Sequence, residues 1–230
     1  MLEASATSRG TGVRSPDGQR SVRQGHVVFR GVRSPYLEAG EKRNGEAVVF
    51  VHGNPGSSED WRELVARVGG FARAVAPDMP GYGKADRPKD FDYTVEGYAR
   101  HLDGILGHLG IERAHLVLHD FGGPWGLAWA AAHPERLASV TLINIGLMPG
   151  YRWHYLARIW RTPVLGELFF AMTTRFAFGL SLRHGNPRGL PTPFVDRMYR
   201  DMDWGSKRAV LRLYRATDDP GALAEALAET

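Results

Sequence analysis

Leu116-Val117-Leu118-His119-Asp120-Phe121-Gly122-Gly123 is the stretch of sequence that decides the fold. Its apolar first half predicts a buried strand, and the two glycines after Phe121 allow a helix to begin close to that strand. A residue on such a sharp strand-to-helix turn projects above the C-terminal edge of a parallel sheet, where α/β folds bind their ligands. The residue at this turn is Asp120, so the sequence predicts a carboxylate at a candidate site.

The segments around this turn alternate between predicted strands and predicted helices. Short apolar runs bounded by polar residues predict strands, and apolar residues at helical spacing predict helices. Beyond an antiparallel pair at 26–30 and 32–37, strands are expected at 47–51, 72–76, 114–119 and 140–145, and helices at 58–68, 94–109 and 121–132. Ser58 and Thr94 are predicted to cap the first two helices. The alternation predicts an α/β fold with a mostly parallel sheet.

Composition divides the chain into three predicted parts. Residues 1–24 are rich in Ser, Gly and Arg, lack an apolar signal region and are expected to form a flexible tail. Residues 25–149 carry the α/β pattern and form the predicted core. Residues 150–230 combine helical patterns with aromatic residues and loop prolines, so they predict a helical cap, with a break near Gly205.

Several classes of protein are excluded by composition. The 230 residues include no cysteine, so disulfide scaffolds, thiolate zinc sites, iron–sulfur clusters and cysteine nucleophiles are ruled out. There is no run of 18 apolar residues that could span a membrane, and no His, Asp and Glu group has metal-ligand spacing. The net charge of +4 comes from dispersed arginines. We therefore expect a cytoplasmic protein with no cofactor, no metal, no membrane partner and no nucleic-acid partner.

An aspartate at the turn selects the chemistry. A carboxylate is ionised at neutral pH and needs no base before it attacks, which suits an sp³ carbon that carries a leaving group. The product of that attack is an alkyl ester of the enzyme. Its hydrolysis requires a histidine-activated water and an oxyanion hole, for which the backbone N–H groups of Phe121 and Asn54 are the natural donors. The structural alternative is that Asp120 only caps the helix that follows.

Three motifs, in this order, resemble a known family. They are His52-Gly53-Asn54-Pro55, the segment from Pro77-Asp78 through Gly81-Tyr82-Gly83-Lys84-Ala85-Asp86, and His119-Asp120-Phe121-Gly122-Gly123. Together they are similar to the aspartate-nucleophile branch of the α/β-hydrolase superfamily, which contains haloalkane dehalogenases and epoxide hydrolases. The resemblance implies a hydrolase with Asp120 as nucleophile, Asn54 and Phe121 as oxyanion donors, and a small apolar organic substrate that reacts with water.

The resemblance leaves the leaving group open. Asn54 and Leu118 resemble dehalogenases, in which the asparagine amide helps to hold the halide. Dehalogenases usually place Trp directly after the nucleophile, but here Phe121 has no donor, so a cap tryptophan, Trp153 or Trp160, would have to compensate. Epoxide opening would instead use tyrosine hydroxyls of the cap, for which the candidates are Tyr151, Tyr155, Tyr199 and Tyr214.

The catalytic acid and histidine of this family are the residues that the sequence does not supply. None of the nine histidines follows a strand beyond residue 150, and Asn144 occupies an alternative position for the acid. His52 and His119 are expected to be structural. We therefore expect a C-terminally incomplete copy that lacks the last strands of the fold, with doubtful turnover. The alternatives are a natural short form, or a non-catalytic homologue that binds a ligand or a partner. The sequence predicts no oligomeric state.

Overall fold

The computed structural model describes residues 21–42, 44–146, 150–221 and 225. Six strands form one mixed sheet: β1 (Arg23–Phe29), β2 (Val32–Ala39), β3 (Glu46–Val51), β4 (Ala74–Pro77), β5 (Arg113–His119) and β6 (Leu137–Ile143). Their spatial order is β1-β2-β4-β3-β5-β6. β2 pairs antiparallel with β1 and β4, whereas the β3–β4, β3–β5 and β5–β6 pairs are parallel. The predicted α/β fold is confirmed.

Among the described residues, eight α-helices with defined bounds flank the sheet or follow it. They are α1 (Arg62–Val68), α2 (Val95–His108), α3 (Gly122–Ala132), α4 (Tyr155–Arg161), α5 (Leu165–Met172), α6 (Arg175–Gly185), α7 (Thr192–Asp201) and α8 (Trp204–Ala216). The first three alternate with strands, as the sequence predicts. The last five follow one another without a strand among the described residues of this part of the chain, which agrees with a helical cap.

The first helix cap and the end of the predicted tail differ from the sequence prediction. Ser57, not Ser58, caps the first helical turn, since Ser57 and Asp60 form a reciprocal capping box before α1. The cap helices break at Met202 and Asp203, near Gly205 as predicted, and the Asp203 carboxylate caps α8 by accepting the Ser206 N–H. β1 begins inside the predicted tail, where the Arg23 guanidinium donates to Gly40 O. Residues 1–20 of that tail lie outside the described residues.

Two apolar layers enclose the sheet. On one face α2 and α3 bury a large cluster around Tyr98, Leu102 and Trp125, with the Tyr98 and Trp125 rings stacked at 4.1 Å between centroids. On the other face α1 covers a smaller cluster that includes Phe50 and Val65. This double cover explains why β3 and β5 are nearly continuous apolar runs in the sequence.

β6 lies at one edge of the described sheet. It begins at Leu137 and ends at Ile143, earlier at both ends than the predicted 140–145. Its last residues, Leu142 and Ile143, are 47% and 40% exposed. An apolar edge strand of this kind is one that proteins normally cover or pair.

Two arginines fasten the cap to the core. Arg197 of α7 donates to Ser57 Oγ at 3.1 Å and to Asp60 Oδ1 at 2.8 Å. Arg87, from the loop after β4, donates to Ser206 Oγ on α8 at 3.1 Å. These contacts hold the cap over the C-terminal ends of β3 and β5, where the sequence predicts the functional site.

Candidate active site

Asp120 stands on the turn between β5 and α3 in a left-handed backbone conformation, with φ 51°. This conformation is uncommon for a residue with a side chain, but aspartate tolerates it better than most. The turn is closed by the Gly123 N–H, which donates to Asp120 O at 2.9 Å. Gly122 allows the close approach, because a Cβ there would lie 2.4 Å from Val51 O. The strained turn lifts the carboxylate above the edge of the sheet.

Both predicted oxyanion donors reach the Asp120 carboxylate. The Asn54 N–H, from the loop after β3, donates to Asp120 Oδ1 at 2.7 Å. The Phe121 N–H is a second backbone donor to the same carboxylate. Asp120, Asn54 and Phe121 therefore lie together, although Asn54 is separated from Asp120 by 66 residues.

Burial dominates the electrostatics of this carboxylate. Desolvation raises the pKa of Asp120 above its ordinary value, and the Asn54 and Phe121 hydrogen bonds oppose that shift. The carboxylate is thus poorly solvated but still bonded by N–H groups, so it is less shielded by water than a surface aspartate. Both properties favour a nucleophile.

Asp120 opens into a cavity of about 350 Å³ between the core and the start of the cap. The cap residues that line it with aromatic rings are Tyr151, Trp153, His154 and Tyr214, and Thr217 and Pro220 complete the cap side. Burial raises the pKa of Tyr214 well above its ordinary value and also raises that of Tyr151, so both phenols stay protonated and can donate. Asn144, the amide that follows β6, lines the same cavity.

His154 has one ring nitrogen already engaged. Its Nδ1 accepts the Ala157 N–H at 3.2 Å and thereby caps α4. In the neutral ring the proton is then on Nε2, which can donate but cannot accept. Burial lowers the pKa of His154, which favours this neutral form. The ring is suited to donate a hydrogen bond into the cavity rather than to activate a water.

A second, more apolar cavity of about 470 Å³ lies inside the cap, and Asn54 and Trp160 both line it. The indole N–H of Trp160 is buried and has no hydrogen-bond partner among the described residues, whereas the buried side-chain amide of Asn54 lies beside the Tyr214 hydroxyl. Tyr214 contacts both regions: it lines the Asp120 cavity, and its ring packs against Trp160 at 5.0 Å between centroids.

The structure distinguishes between the cap tyrosines and tryptophans that the sequence analysis treated as equivalent candidates for a hydrogen-bond donor. Of the four tyrosines, Tyr151 and Tyr214 line the Asp120 cavity, Tyr155 lines the cap cavity, and the Tyr199 hydroxyl donates to Thr173 O at 3.3 Å. Of the two tryptophans, Trp153 donates to Asp218 O at 3.4 Å, whereas Trp160 is unpartnered. His154 also lines the Asp120 cavity, and no pattern in the sequence marks it as a site residue.

His52 and His119 have structural roles, as expected. The His52 Nδ1–H donates to Gly53 O at 2.8 Å, and its Nε2 accepts the Met79 N–H at 3.0 Å. Burial lowers the pKa of His52 and keeps the ring neutral, so it braces the loop that carries Asn54. The His119 ring packs edge-on against Trp61, 6.4 Å between centroids.

The described part of the chain contains neither a metal-binding cluster nor a membrane-spanning helix. No group of three or more His, Asp or Glu side chains there could hold a metal ion. None of its helices is both long enough and apolar enough to cross a membrane.

Comparison with known proteins identifies related sequences. Residues 46–177 match the family described as alpha/beta hydrolase fold. A haloalkane dehalogenase from Agrobacterium fabrum is 35% identical over 144 residues, which cover 59% of this chain and 46% of the relative. A cis-3-alkyl-4-alkyloxetan-2-one decarboxylase from Xanthomonas campestris pv. campestris is 34% identical over 168 residues, covering 67% of this chain and 55% of the relative. The chain thus spans about half the length of the curated relatives that it matches.

Solved structures have the same fold. Wild-type Cfl2 from Burkholderia cenocepacia superposes with a TM-score of 0.79 at 27% identity, covering 95% of this chain and 79% of that one. Haloalkane dehalogenase DbeA from Bradyrhizobium elkani has a TM-score of 0.77 at 24% identity, covering 91% and 76%. At that identity the second likeness extends to the fold alone.

Proposed function

The chain belongs to the α/β-hydrolase fold family, and from that premise we propose that Asp120 is a nucleophile that attacks an sp³ carbon bearing a leaving group. The observation that carries this proposal is the Asp120 carboxylate itself. It stands on a strained turn, bonded by the Asn54 and Phe121 N–H groups and open to a cavity. A residue that served only as a helix cap would need neither the cavity nor the donor from a distant loop.

The first chemical step forms an ester. A carboxylate oxygen of Asp120 bonds to the substrate carbon while the bond from that carbon to the leaving group breaks, and the leaving group departs with the electron pair. The Asn54 and Phe121 N–H groups hold the carboxylate in position for attack. After attack, the same two donors are placed to stabilise the ester carbonyl and the oxyanion that water addition would create.

The donors around Asp120 favour an oxygen leaving group, as in an epoxide. Opening a strained C–O bond leaves an alkoxide, which needs a proton or a strong hydrogen bond as it forms. The Tyr151 and Tyr214 phenols and the His154 N–H all belong to the cavity of Asp120. A phenol kept protonated by burial can supply that proton.

A carbon–halogen bond is the second candidate. The unpartnered indole N–H of Trp160 favours it, because a buried N–H without a partner is suited to hold a departing anion. Trp160 and Asn54 line the cap cavity rather than the cavity that Asp120 lines. A β-lactone of the type in the name of the Xanthomonas relative also presents an sp³ carbon bonded to a ring oxygen, so it belongs in the test panel.

The second step, ester hydrolysis, lacks a base among the described residues that line the Asp120 cavity. His154 is the one histidine there, and its accepting nitrogen is engaged by the Ala157 N–H. We therefore expect the 230-residue chain to be alkylated once and to release product slowly or not at all. The same observation supports the alternative of a homologue that binds a ligand without turning it over.

Intact mass spectrometry tests the proposal. Incubation with a panel of terminal epoxides, 1-bromoalkanes and dialkyl β-lactones should give one adduct, mapped by peptide digestion to Asp120 and absent in Asp120→Asn. An epoxide adds its whole mass, whereas a bromoalkane adds only its alkyl group because bromide leaves. Reversible binding of the same compounds without any adduct would support the non-catalytic alternative, and neither adduct nor binding would refute both.

A further inference from the structure

The cap carries rows of exposed apolar side chains on two consecutive helices. On α5, Leu165, Leu168 and Met172 recur at i, i+3 and i+7. On α6, Phe176 and Leu180 recur at i and i+4. All are more than half exposed, and Phe176 is 79% exposed. Isolated apolar side chains are normal on a protein surface, but a row at helical spacing on each of two consecutive helices is typical of an interaction surface. We call these five residues the apolar face.

The apolar face borders the mouth of the cap cavity. Met172 belongs to the face and also lines the cavity. On α6 the cavity is lined by Ala177 and Ser181, each one residue after a member of the face, so the two rows lie side by side on that helix. An apolar molecule held in a surface that covers the apolar face would therefore lie next to an apolar cavity.

The cap is also the positively charged part of the chain. Residues 150–230 contain twelve Arg and Lys residues and eight Asp and Glu residues, so this part carries the whole net charge of +4. The exposed Arg183, one turn after Leu180 on α6, and Arg188, in the loop that follows, form no side-chain ion pair within the described ranges. Cations thus lie beside the apolar face.

We propose that the apolar face docks onto an anionic lipid surface, with the mouth of the cap cavity turned toward it. Apolar side chains that enter the interface, with arginines beside them for the lipid phosphates, are the combination that such a surface recognises. A second copy of the chain would bring the same positive charges against each other. A nucleic acid would gain nothing from the leucine, methionine and phenylalanine side chains.

The proposal revises the expectation that no membrane partner exists. That expectation rested on the absence of a membrane-spanning apolar run, whereas a docking face needs only surface side chains at helical spacing. It also concerns binding alone, so it stands apart from the chemistry proposed for Asp120 and is tested without turnover.

Vesicle co-sedimentation of the full 230-residue chain tests the proposal. We expect binding to vesicles of phosphatidylcholine and phosphatidylglycerol in equal parts, weakened by high salt and by pure phosphatidylcholine. Replacing Leu168, Phe176 and Leu180 together by Gln should reduce the partition coefficient at least about tenfold, since it removes apolar area without changing the charge. Replacing Arg183 and Arg188 by Gln should reduce it about tenfold on anionic vesicles only.

Phe71→Gln is the matched control, because Phe71 on the core is also 79% exposed and lies outside the apolar face. It should bind as the unaltered chain does, and circular dichroism should show that all variants fold. Failure to bind anionic vesicles would overturn the proposal, as would equal binding by the triple Gln variant. A dimer in light scattering that the triple Gln variant dissociates would assign the face to a second copy instead.

Discussion

Gly53 lies so close to Asp120 that a Cβ atom added to Gly53 would lie 2.3 Å from the Asp120 Cβ. The contact allows the loop after β3 to pass directly beside the turn after β5. It thereby brings the N–H of the next residue, Asn54, to 2.7 Å from Asp120 Oδ1. The missing side chain at residue 53 is therefore part of how the carboxylate is held.

Gly53→Ala should slow ester formation at Asp120. The added methyl group must push the loop or the carboxylate aside, and a displacement of about 1 Å at a reacting group reduces rates on the order of 100-fold. Time-resolved intact mass spectrometry with the most reactive member of the panel measures the effect. Gly107→Ala is the control, because its added Cβ would meet nothing within 4 Å. Equal rates for the two variants would contradict the role given to Gly53.

Tyr214→Phe should separate the two leaving groups. If the Tyr214 hydroxyl protonates the oxygen of an opening epoxide, its loss should slow the epoxide adduct about 100-fold, a usual contribution of general acid catalysis. The bromoalkane adduct should form at nearly the original rate, since bromide needs no proton. Tyr199→Phe is the control, because the Tyr199 hydroxyl is bonded to Thr173 O. An equal loss with both reagents would indicate that Tyr214 acts through packing.

Asp120→Asn should stabilise the fold at neutral pH. Burial raises the pKa of Asp120, so the ionised carboxylate opposes folding, and removing such a functional charge typically gains on the order of 1 kcal/mol. The folded state binds the Asp120 proton more tightly than the unfolded state does. The free energy of unfolding that depends on this proton is therefore complete below the pKa of Asp120 in the unfolded chain. It is lost as the pH rises through the pKa of Asp120 in the folded chain. The advantage of Asp120→Asn should therefore shrink as the pH falls. Urea denaturation at several pH values measures the free energy of unfolding of both proteins. A difference between Asp120→Asn and the unaltered chain that does not change with pH would contradict a raised pKa of Asp120.

The local parts of the site could be predicted from the sequence, and the distant parts could not. The turn at Asp120 follows from a continuous segment in which strand, apex and glycines are adjacent. Asn54 could be predicted because its loop follows an apolar strand, and neighbouring parallel strands end at one edge of a sheet. Ser57 was missed by one residue, since two adjacent serines can both cap and only the return bond from Asp60 decides.

Tyr214 and Trp160 illustrate what sequence patterns leave undetermined. Four tyrosines and two tryptophans of the cap have equivalent chemistry, and their distance from Asp120 depends on how α4 and α8 pack on the core. Tyr214 is 94 residues from Asp120 in the chain, and its position is set by ring contacts with Phe121, Trp153 and Trp160. Contacts between distant segments of this kind leave no local signal.

His101 should make the fold sensitive to mild acid. It is buried, its Nε2 lies 2.9 Å from Ser34 Oγ, and burial lowers its pKa to about 4. Between its ordinary pKa and that value the unfolded chain binds a proton that the folded chain does not, so stability is lost as the pH falls. This lowering of the His101 pKa corresponds to a loss of unfolding free energy on the order of 3 kcal/mol between about pH 7 and about pH 4.

His101→Gln should remove that part of the pH dependence, although it is expected to lower stability at neutral pH by breaking the contact with Ser34. His108→Gln, at an exposed position on the same helix, should leave the dependence unchanged. Urea unfolding free energies at four or more pH values provide the comparison. Parallel curves for His101→Gln and the unaltered chain would assign the acid sensitivity to another group.

Phe121→Trp should shift reactivity toward halides. Phe121 directly follows Asp120, and its ring is buried against Trp153 and Tyr214. An indole there adds an N–H beside the reacting carbon, and a hydrogen bond to a departing anion contributes about 1.5 to 3 kcal/mol. The rate of bromoalkane adduct formation relative to epoxide should rise at least about tenfold, measured by competition in one tube.

The larger ring also overpacks the site, so the melting temperature of Phe121→Trp should fall. That loss of stability affects both reagents alike, so the ratio of the two adduct rates remains the informative quantity. An unchanged ratio would mean that the leaving group does not reach residue 121. The halide would then be expected to bind in the cap cavity, which Asn54 and Trp160 line.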